Sequence, residues 1–448
     1  MKRFSDHLRE TWALSLPLVG SHLAQISIGL TDTVMMGWYG VSELAAVALA
    51  STFFVVIFLL GSGFAKAVMP LVAAATSNGD AIQVRRATRM GIWISTLFAF
   101  LTLPFFWFSG PVFLFLGQEV QLSANGQDYL RITGWSMPAA LLVMVLGSHL
   151  SALGRARVLL WVTLAGAVVN AGVNWVFIFG NLGMPELGVR GAALASITTH
   201  GAMALLLALY AGFGRGMRGY ALFARIWRAD PEAFTQVFRL GWPIGLTMLA
   251  EVGLFAATSV MMGWIGEREL AAHSIALQIS SITFMVHIGI SSAATVRAGH
   301  AWGRRDTYAL RQGAFACLAL SGIMVALTIL AFLWLPGPMI RLFIDPRDPA
   351  LPQILAIATG LLAMAALFQL ADAAQVVALG LLRGVQDTRV PMIQAVLAYW
   401  VVGLPAAYIL GFPLGMAGQG IWLGLAIGLS FAGLMMMTRF WRGPAAFA

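Results

Sequence analysis

LPLVGSHLAQISIGLTDTVMMGWYGVSELAAVALA (residues 16–50) aligns without a gap to WPIGLTMLAEVGLFAATSVMMGWIGERELAAHSIA (242–276). Fourteen of the 35 positions are identical, at a constant offset of 226 residues (243 − 17), including Pro17/Pro243 and the block VMMGW. An Ala/Leu-rich composition does not give that match by chance, so the chain contains two copies of one unit. The same offset pairs Asp80 with Asp306 and Arg85 with Arg311.

Working outward, apolar runs of about 20 residues recur along the whole chain, each long enough to cross a bilayer as a helix. Breaks between them predict twelve spans, near 12–37, 46–76, 89–116, 130–152, 157–180, 190–213, 235–262, 270–301, 311–336, 352–380, 390–411 and 418–440. The composition agrees: 60% hydrophobic, 10% charged and a mean hydropathy of +0.85 are far from a soluble protein of this length. Alternation of period two in ten-residue blocks, the mark of a membrane β-barrel, is absent. The expected fold is an all-α membrane protein, with twelve transmembrane helices in two pseudo-symmetric six-helix bundles. The expected lobes are 1–213 and 235–448, joined by a linker at 214–234. A shift of six helices preserves orientation, and transporters built from such parallel repeats place the substrate between the halves.

A net charge of +9 raises the question of a nucleic-acid partner. With an even number of spans, 20 of the 27 Lys and Arg fall on one side and five on the other, leaving Lys66 and Arg297 inside spans. That bias is the positive-inside signature, so the basic residues encode topology and both termini are expected in the cytoplasm. The leading MKRFSDHLRE reads as a cytoplasmic lead into the first span, not as a cleaved signal. Arg297 lies near a cytoplasmic helix end, where snorkelling suffices. The single cysteine, Cys317, lies mid-span and is expected to pack.

Of 18 acidic residues, three lie well inside spans: Asp32, Glu251 and Asp372. A carboxylate facing lipid at mid-depth costs roughly 2.5–3.5 kcal/mol on insertion scales, so each marks a candidate functional site. In the first span Ser21, Gln25 and Asp32 share a helix face, and the repeat puts Thr247, Glu251 and Thr258 on the equivalent face of the seventh. The acid has moved along a stripe that both copies keep. In the tenth span Gln369, Asp372 and Gln375 form another polar stripe, and in the fifth Asn170 and Asn174 stand four apart. Gln25, Thr247, Thr258, Gln369 and Gln375 are candidates for lining a substrate cavity. The Asn pair either supplies hard oxygen ligands beside a carboxylate or glues helices together.

No P-loop, nucleophile elbow, HExxH or dinucleotide fingerprint occurs, and no Cys/His cluster has metal-ligand spacing. No soluble segment is large enough for an ATPase domain. An enzyme is therefore not expected, no cofactor is expected, and transport draws on an ion gradient or is passive.

The pieces TDTVMMGWYG (31–40), NAGVNWVFIFG (170–180), PELGVRGAALAS (185–196), ELAAHSIALQI (269–279), TVRAG (295–299) and DAAQVVALGLLRGVQDTRVP (372–391), in this order, resemble the multidrug and toxic compound extrusion (MATE) transporters of the NorM-like branch. The resemblance spans the chain. It implies efflux of small organic cations and drugs in exchange for Na⁺ or H⁺, by a monomer in a bacterial cytoplasmic membrane. It also implies one cation site at Asp32, Asn170, Asn174, Ala192 and Ser196, where relatives usually carry Thr in the last place, and an acidic pair at Glu251 and Asp372. Lys66 departs from the family's usual apolar residue. The rival readings are a lipid-linked saccharide flippase of the same superfamily, for whose pyrophosphate only Lys66 and Arg297 offer charge inside spans, and a channel. Two lobes with sparse acids argue against the channel.

Overall fold

The computed structural model describes residues 3–344, 347 and 349–446; Met1 and Lys2 of the basic lead lie outside them. All twelve expected spans are present as helices: α1 Phe4–Tyr39, α2 Val41–Ser77, α3 Ala81–Trp107, α4 Val120–Ala152, α5 Ala156–Phe179, α6 Val189–Phe213, α7 Pro231–Ile265, α8 Glu267–Gly303, α9 Thr307–Trp334, α10 Leu351–Gly384, α11 Arg389–Gly411 and α12 Ala417–Arg442. No strand occurs among the described residues. Every backbone N–H and C=O in hydrocarbon needs a partner, and a helix satisfies them within one segment.

The repeat recurs in local geometry. Asp80 and Asp306 cap α3 and α9 alike, each carboxylate accepting the backbone N–H three residues on at 2.8 Å. That is the N-cap role for which Asp is favoured. Gly40 and Gly266 each separate two helices by one extended residue. α3 ends before the expected 116, and a separate helix, Ser109–Phe115, follows it. Pro104 and the Gly110–Pro111 pair prevent one continuous rod there. α4 starts ten residues earlier than the expected 130, so the polar run VQLSANGQDY is helical.

The chain packs as two compact units: one is the segment up to Val19 together with Leu246–Ala448, the other is Gly20–Gly245. The stretch 214–234 lies in the Gly20–Gly245 unit, and the bounds of the units fall inside α1 and α7. Both divisions fall two or three residues after Pro17 and Pro243. A proline inside a helix removes one backbone hydrogen bond and loosens the rod at that point.

Within the Gly20–Gly245 unit, the start of α7 is held by charge and by close packing. Arg86 Nε lies 2.5 Å from Asp230 and its Nη2 lies 2.6 Å from Glu232. Phe238 stacks on Phe64 at 5.5 Å between centroids. Gly63 approaches so closely that a Cβ there would stand 2.4 Å from the Gly241 carbonyl oxygen and the Gly245 nitrogen. The core of this unit is built on Met36, Phe106, Phe113, Leu130 and Leu141 near one end and Leu146, Leu150 and Leu207 near the other.

In the other unit, Arg297 of α8 binds the start of α1. It donates to the His7 carbonyl and, at 2.6 Å, to Thr11 Oγ1, with Glu10 3.7 Å away. Its side chain is only 12% exposed, so Arg297 is turned inward as a clamp and does not snorkel. Trp422, Tyr399, Phe332 and Phe440 anchor the core, and Cys317 is fully buried there. His273 is packed rather than exposed, accepting from Trp422 Nε1 at 3.1 Å.

Candidate functional site

In the Gly20–Gly245 unit the α1 stripe meets α5. Asp32 Oδ1 accepts from Asn170 Nδ2 at 2.9 Å and from Asn174 Nδ2 at 2.6 Å, and Asn174 also donates to Asn170 Oδ1 at 3.2 Å. Both asparagines are fully buried, and four-residue spacing on α5 is what puts both amides on one face. Hydrogen bonds to an ionised acceptor are about twice as strong as neutral ones, so the pair stabilises a charged Asp32. Here the amides turn their nitrogens toward the carboxylate. Asn170 keeps its oxygen occupied, and Asn174 Oδ1 is buried without a protein hydrogen-bond partner among the described residues.

Asp32 opens onto a cavity of about 200 Å³ whose polar lining includes Gln25, Ser51, Tyr129, Ser196 and His200. Gln25 of the α1 stripe is among the lining residues. Ser196 lines it too, while its hydroxyl donates to the Ala192 carbonyl at 3.3 Å. Ala192 is itself buried.

Ser51, Tyr129 and His200 are not among the site residues expected from sequence. Tyr129 lies within α4 because the polar run before residue 130 is helical. His200 stands four residues after Ser196 and its Nδ1 lies 2.9 Å from the Ser196 carbonyl. A carbonyl only accepts, so Nδ1 carries the proton and the neutral ring leaves Nε2 as an acceptor. The i, i+4 spacing of Ser196 and His200 is a signal that sequence alone contains. Ser51 carries no comparable signal. Lys66 of α2 is half-buried, close enough for its charge to act on His22.

In the Leu246–Ala448 unit, Asp372 of α10 is 1% exposed, and neither carboxylate oxygen has a protein hydrogen-bond partner among the described residues. Glu251 of α7 is close enough for the two charges to interact. Flanking Asp372, Gln369 and Gln375 are fully buried. Gln369 Nε2 donates to Thr283 Oγ1 at 2.6 Å, and Gln375 Nε2 donates to the Tyr399 hydroxyl at 2.7 Å. Thr258 is buried and spends its hydroxyl on the Phe255 carbonyl of its own helix at 2.9 Å. Thr247 is also buried. The structure therefore joins Asp32 with both asparagines and sets Glu251 within charge range of Asp372, while the glutamines bond to Thr283 and Tyr399 and the two threonines are buried on α7. Among the described residues no group of three His, Cys, Asp or Glu side chains forms a metal cluster.

The family model described as MatE matches residues 17–176 and 243–409. Its two matches begin at Pro17 and Pro243, the register of the internal repeat. A probable multidrug resistance protein NorM of Rhizobium meliloti is 44% identical, over 97% of this chain and 93% of its own. The protein of the same name from Agrobacterium fabrum is 42% identical, over 97% and 94%. Among solved structures, a eukaryotic MATE transporter superposes with a TM-score of 0.87 at 18% identity, covering 99% of this chain and 98% of its own. An outward-facing multidrug resistance MATE family transporter of the MOP superfamily gives 0.88 at 19% identity, over 98% and 96%. At those identities the structures speak for the fold, and the family match with the closely similar full-length relatives speaks for the lineage: the chain belongs to the MatE family of transporters.

Proposed function

We propose that this protein is a secondary active multidrug efflux antiporter. It exports organic, often cationic, compounds in exchange for Na⁺ or H⁺ by alternating access, and it is not an enzyme. The observation that carries the reading is the placement of carboxylates deep within both units: Asp32 beside Asn170 and Asn174, and Asp372 beside Glu251. An ionisable group at that depth is costly and is retained where an ion or proton uses it. The names of its close relatives, as probable multidrug resistance proteins, support the substrate class.

In this reading Asp32, Asn170, Asn174, Ser196 and the Ala192 carbonyl form one cation site, and Glu251 with Asp372 forms the other. Gln25 lines the cavity at Asp32. Gln369, Gln375, Thr247 and Thr258 belong to the polar stripes around the second acid pair. Ion binding favours one conformation and drug binding the other, and each shifts the equilibrium only by its differential affinity for the two. The protein works as a monomer in the bacterial cytoplasmic membrane, with both termini in the cytoplasm as the distribution of Lys and Arg requires. No other cofactor enters the cycle. Replacing Glu251 by Gln or Asp32 by Asn abolishes ion-driven ethidium efflux with expression intact. Normal efflux from both variants overturns the proposal.

A further inference from the structure

We propose that a groove between the start of α11 and the end of α12 binds an anionic phospholipid, its phosphate on Arg442 and its acyl chain along Leu434 and Met435. The site uses none of the residues assigned to ion coupling. The two helices are consecutive spans, so the first turns of α11 and the last turn of α12 lie at the same end of the unit. Most of the Lys and Arg fall at that end; Arg389 opens α11, and Arg439 and Arg442 close α12. There an open groove of about 530 Å³ has a lining that includes Gln394 of α11 and Leu434, Met435, Thr438, Arg439 and Arg442 of α12.

The α12 wall is graded along the helix. Residues 434, 435, 438, 439 and 442 lie at i, i+1, i+4, i+5 and i+8, on one face. At about 1.5 Å rise per residue, Leu434 stands roughly 12 Å along the axis from Arg442. The charged end of the groove is therefore at the helix terminus, and the apolar end reaches into the depth of the span. Leu434 is 67% exposed, and Ile393 and Leu397, on either side of Gln394 in α11, are each 45% exposed. Inside a span, side chains of that kind meet lipid chains.

The polar end holds donors to spare. Arg439 donates from Nε to Asp387 Oδ2 at 2.5 Å, a contact that orients its guanidinium and offsets its charge. A guanidinium carries five N–H donors, so the Nη groups lie beyond that bond. Arg442 is exposed and is not part of the pair, and it supplies the net charge. Thr438 adds a hydroxyl. Gln394 Oε1 is buried without a protein hydrogen-bond partner among the described residues, an acceptor that a head-group hydroxyl would meet. These features select the ligand. A phosphate accepts charge-assisted, often bidentate hydrogen bonds from guanidinium groups. Free phosphate leaves the apolar reach of the groove uncovered, and Arg442 repels an organic cation. A phospholipid with a net negative head group covers both ends together, and basic pockets between transmembrane helices take such head groups.

The test uses the full-length protein in detergent micelles with a phosphatidylglycerol that carries a photoactivatable diazirine on its acyl chain. Digestion and mass spectrometry after illumination map the label. It falls on the peptide that holds Leu434 and Met435. Excess unlabelled phosphatidylglycerol displaces it, and the same amount of phosphatidylcholine or inorganic phosphate does not. Arg442→Gln raises the phosphatidylglycerol concentration for half-maximal labelling about fivefold, the effect of losing one basic residue near an anionic head group. Arg442→Lys keeps the charge without the planar fork and falls between that variant and wild type. Arg442 is exposed, so the melting temperature of both variants stays at the wild-type value, which a folding defect would lower. Label only elsewhere, phosphatidylcholine competing as well as phosphatidylglycerol, or Arg442→Gln labelled like wild type overturns the proposal. Displacement by inorganic phosphate makes the groove a site for the free anion and overturns the lipid assignment.

Discussion

Replacing Asp32 by Asn keeps the shape of the side chain and removes its charge, so stability and ion binding respond differently. Asp32 Oδ1 accepts two amide hydrogen bonds, at 2.9 and 2.6 Å. Hydrogen bonds to a charged group contribute about 1.5–3 kcal/mol and neutral ones about 1 kcal/mol, so two weakened bonds lose roughly 1–4 kcal/mol. Against this, the variant no longer holds a charge out of water, which in proteins costs several kcal/mol per ion. The two effects nearly cancel, and the melting temperature moves by no more than a few degrees. Ion binding has no such compensation. A cation about 4 Å from the carboxylate, at an effective dielectric constant of about 20, is held by about 4 kcal/mol. Losing that attraction weakens the ion by about three decades at roughly 1.4 kcal/mol each. The assay pairs scanning fluorimetry of the purified protein with ion titration of ethidium efflux in proteoliposomes. A large fall in melting temperature together with unchanged ion dependence rules out the coupling role and makes Asp32 a packing residue.

Three further outcomes are expected from the same structure. Gly63→Ala lowers thermal stability by on the order of 1–3 kcal/mol, because its Cβ meets backbone of Gly241 and Gly245 at 2.4 Å; Gly322→Ala, with open space around it, does not. The Arg86 hydrogen bond holds the Asp230 carboxyl down to about 2. Its contribution to stability is therefore full above the ordinary carboxylate value near 4 and is lost as pH falls from there through about 2. Scanning fluorimetry of wild type and Arg86→Ala should show a gap at pH 6 that narrows below pH 3. Cys317 is buried, so a maleimide labels it in the denatured protein and not in the folded one.

Much of this architecture is legible in sequence because the bilayer imposes its own length on every helix. The twelve spans, the repeat from Pro17 and Pro243, and the three intramembrane acids all follow from apolar run length and from the cost of charge in hydrocarbon. The Asn170–Asn174 spacing correctly brings both side chains to Asp32, since a four-residue step fixes a helix face. It does not fix which amide atom faces the acid. Tyr399 lies in an apolar run in which a π turn leaves no periodic trace, and Tyr129 lies in a polar run that reads as loop. The division of α1 and α7 between units depends on partners far apart in the chain, Arg297 for His7 at a separation of 290 residues and Arg86 for Asp230 at 144. Sequence separation of that size carries no local pattern.

The most direct test of ion-coupled export imposes Na⁺ and pH gradients separately on proteoliposomes containing the wild-type protein and measures ethidium movement. Antiport requires concentrative drug flux when an inward ion gradient is present, and none when both gradients are collapsed. Concentrative flux that persists with both collapsed contradicts it.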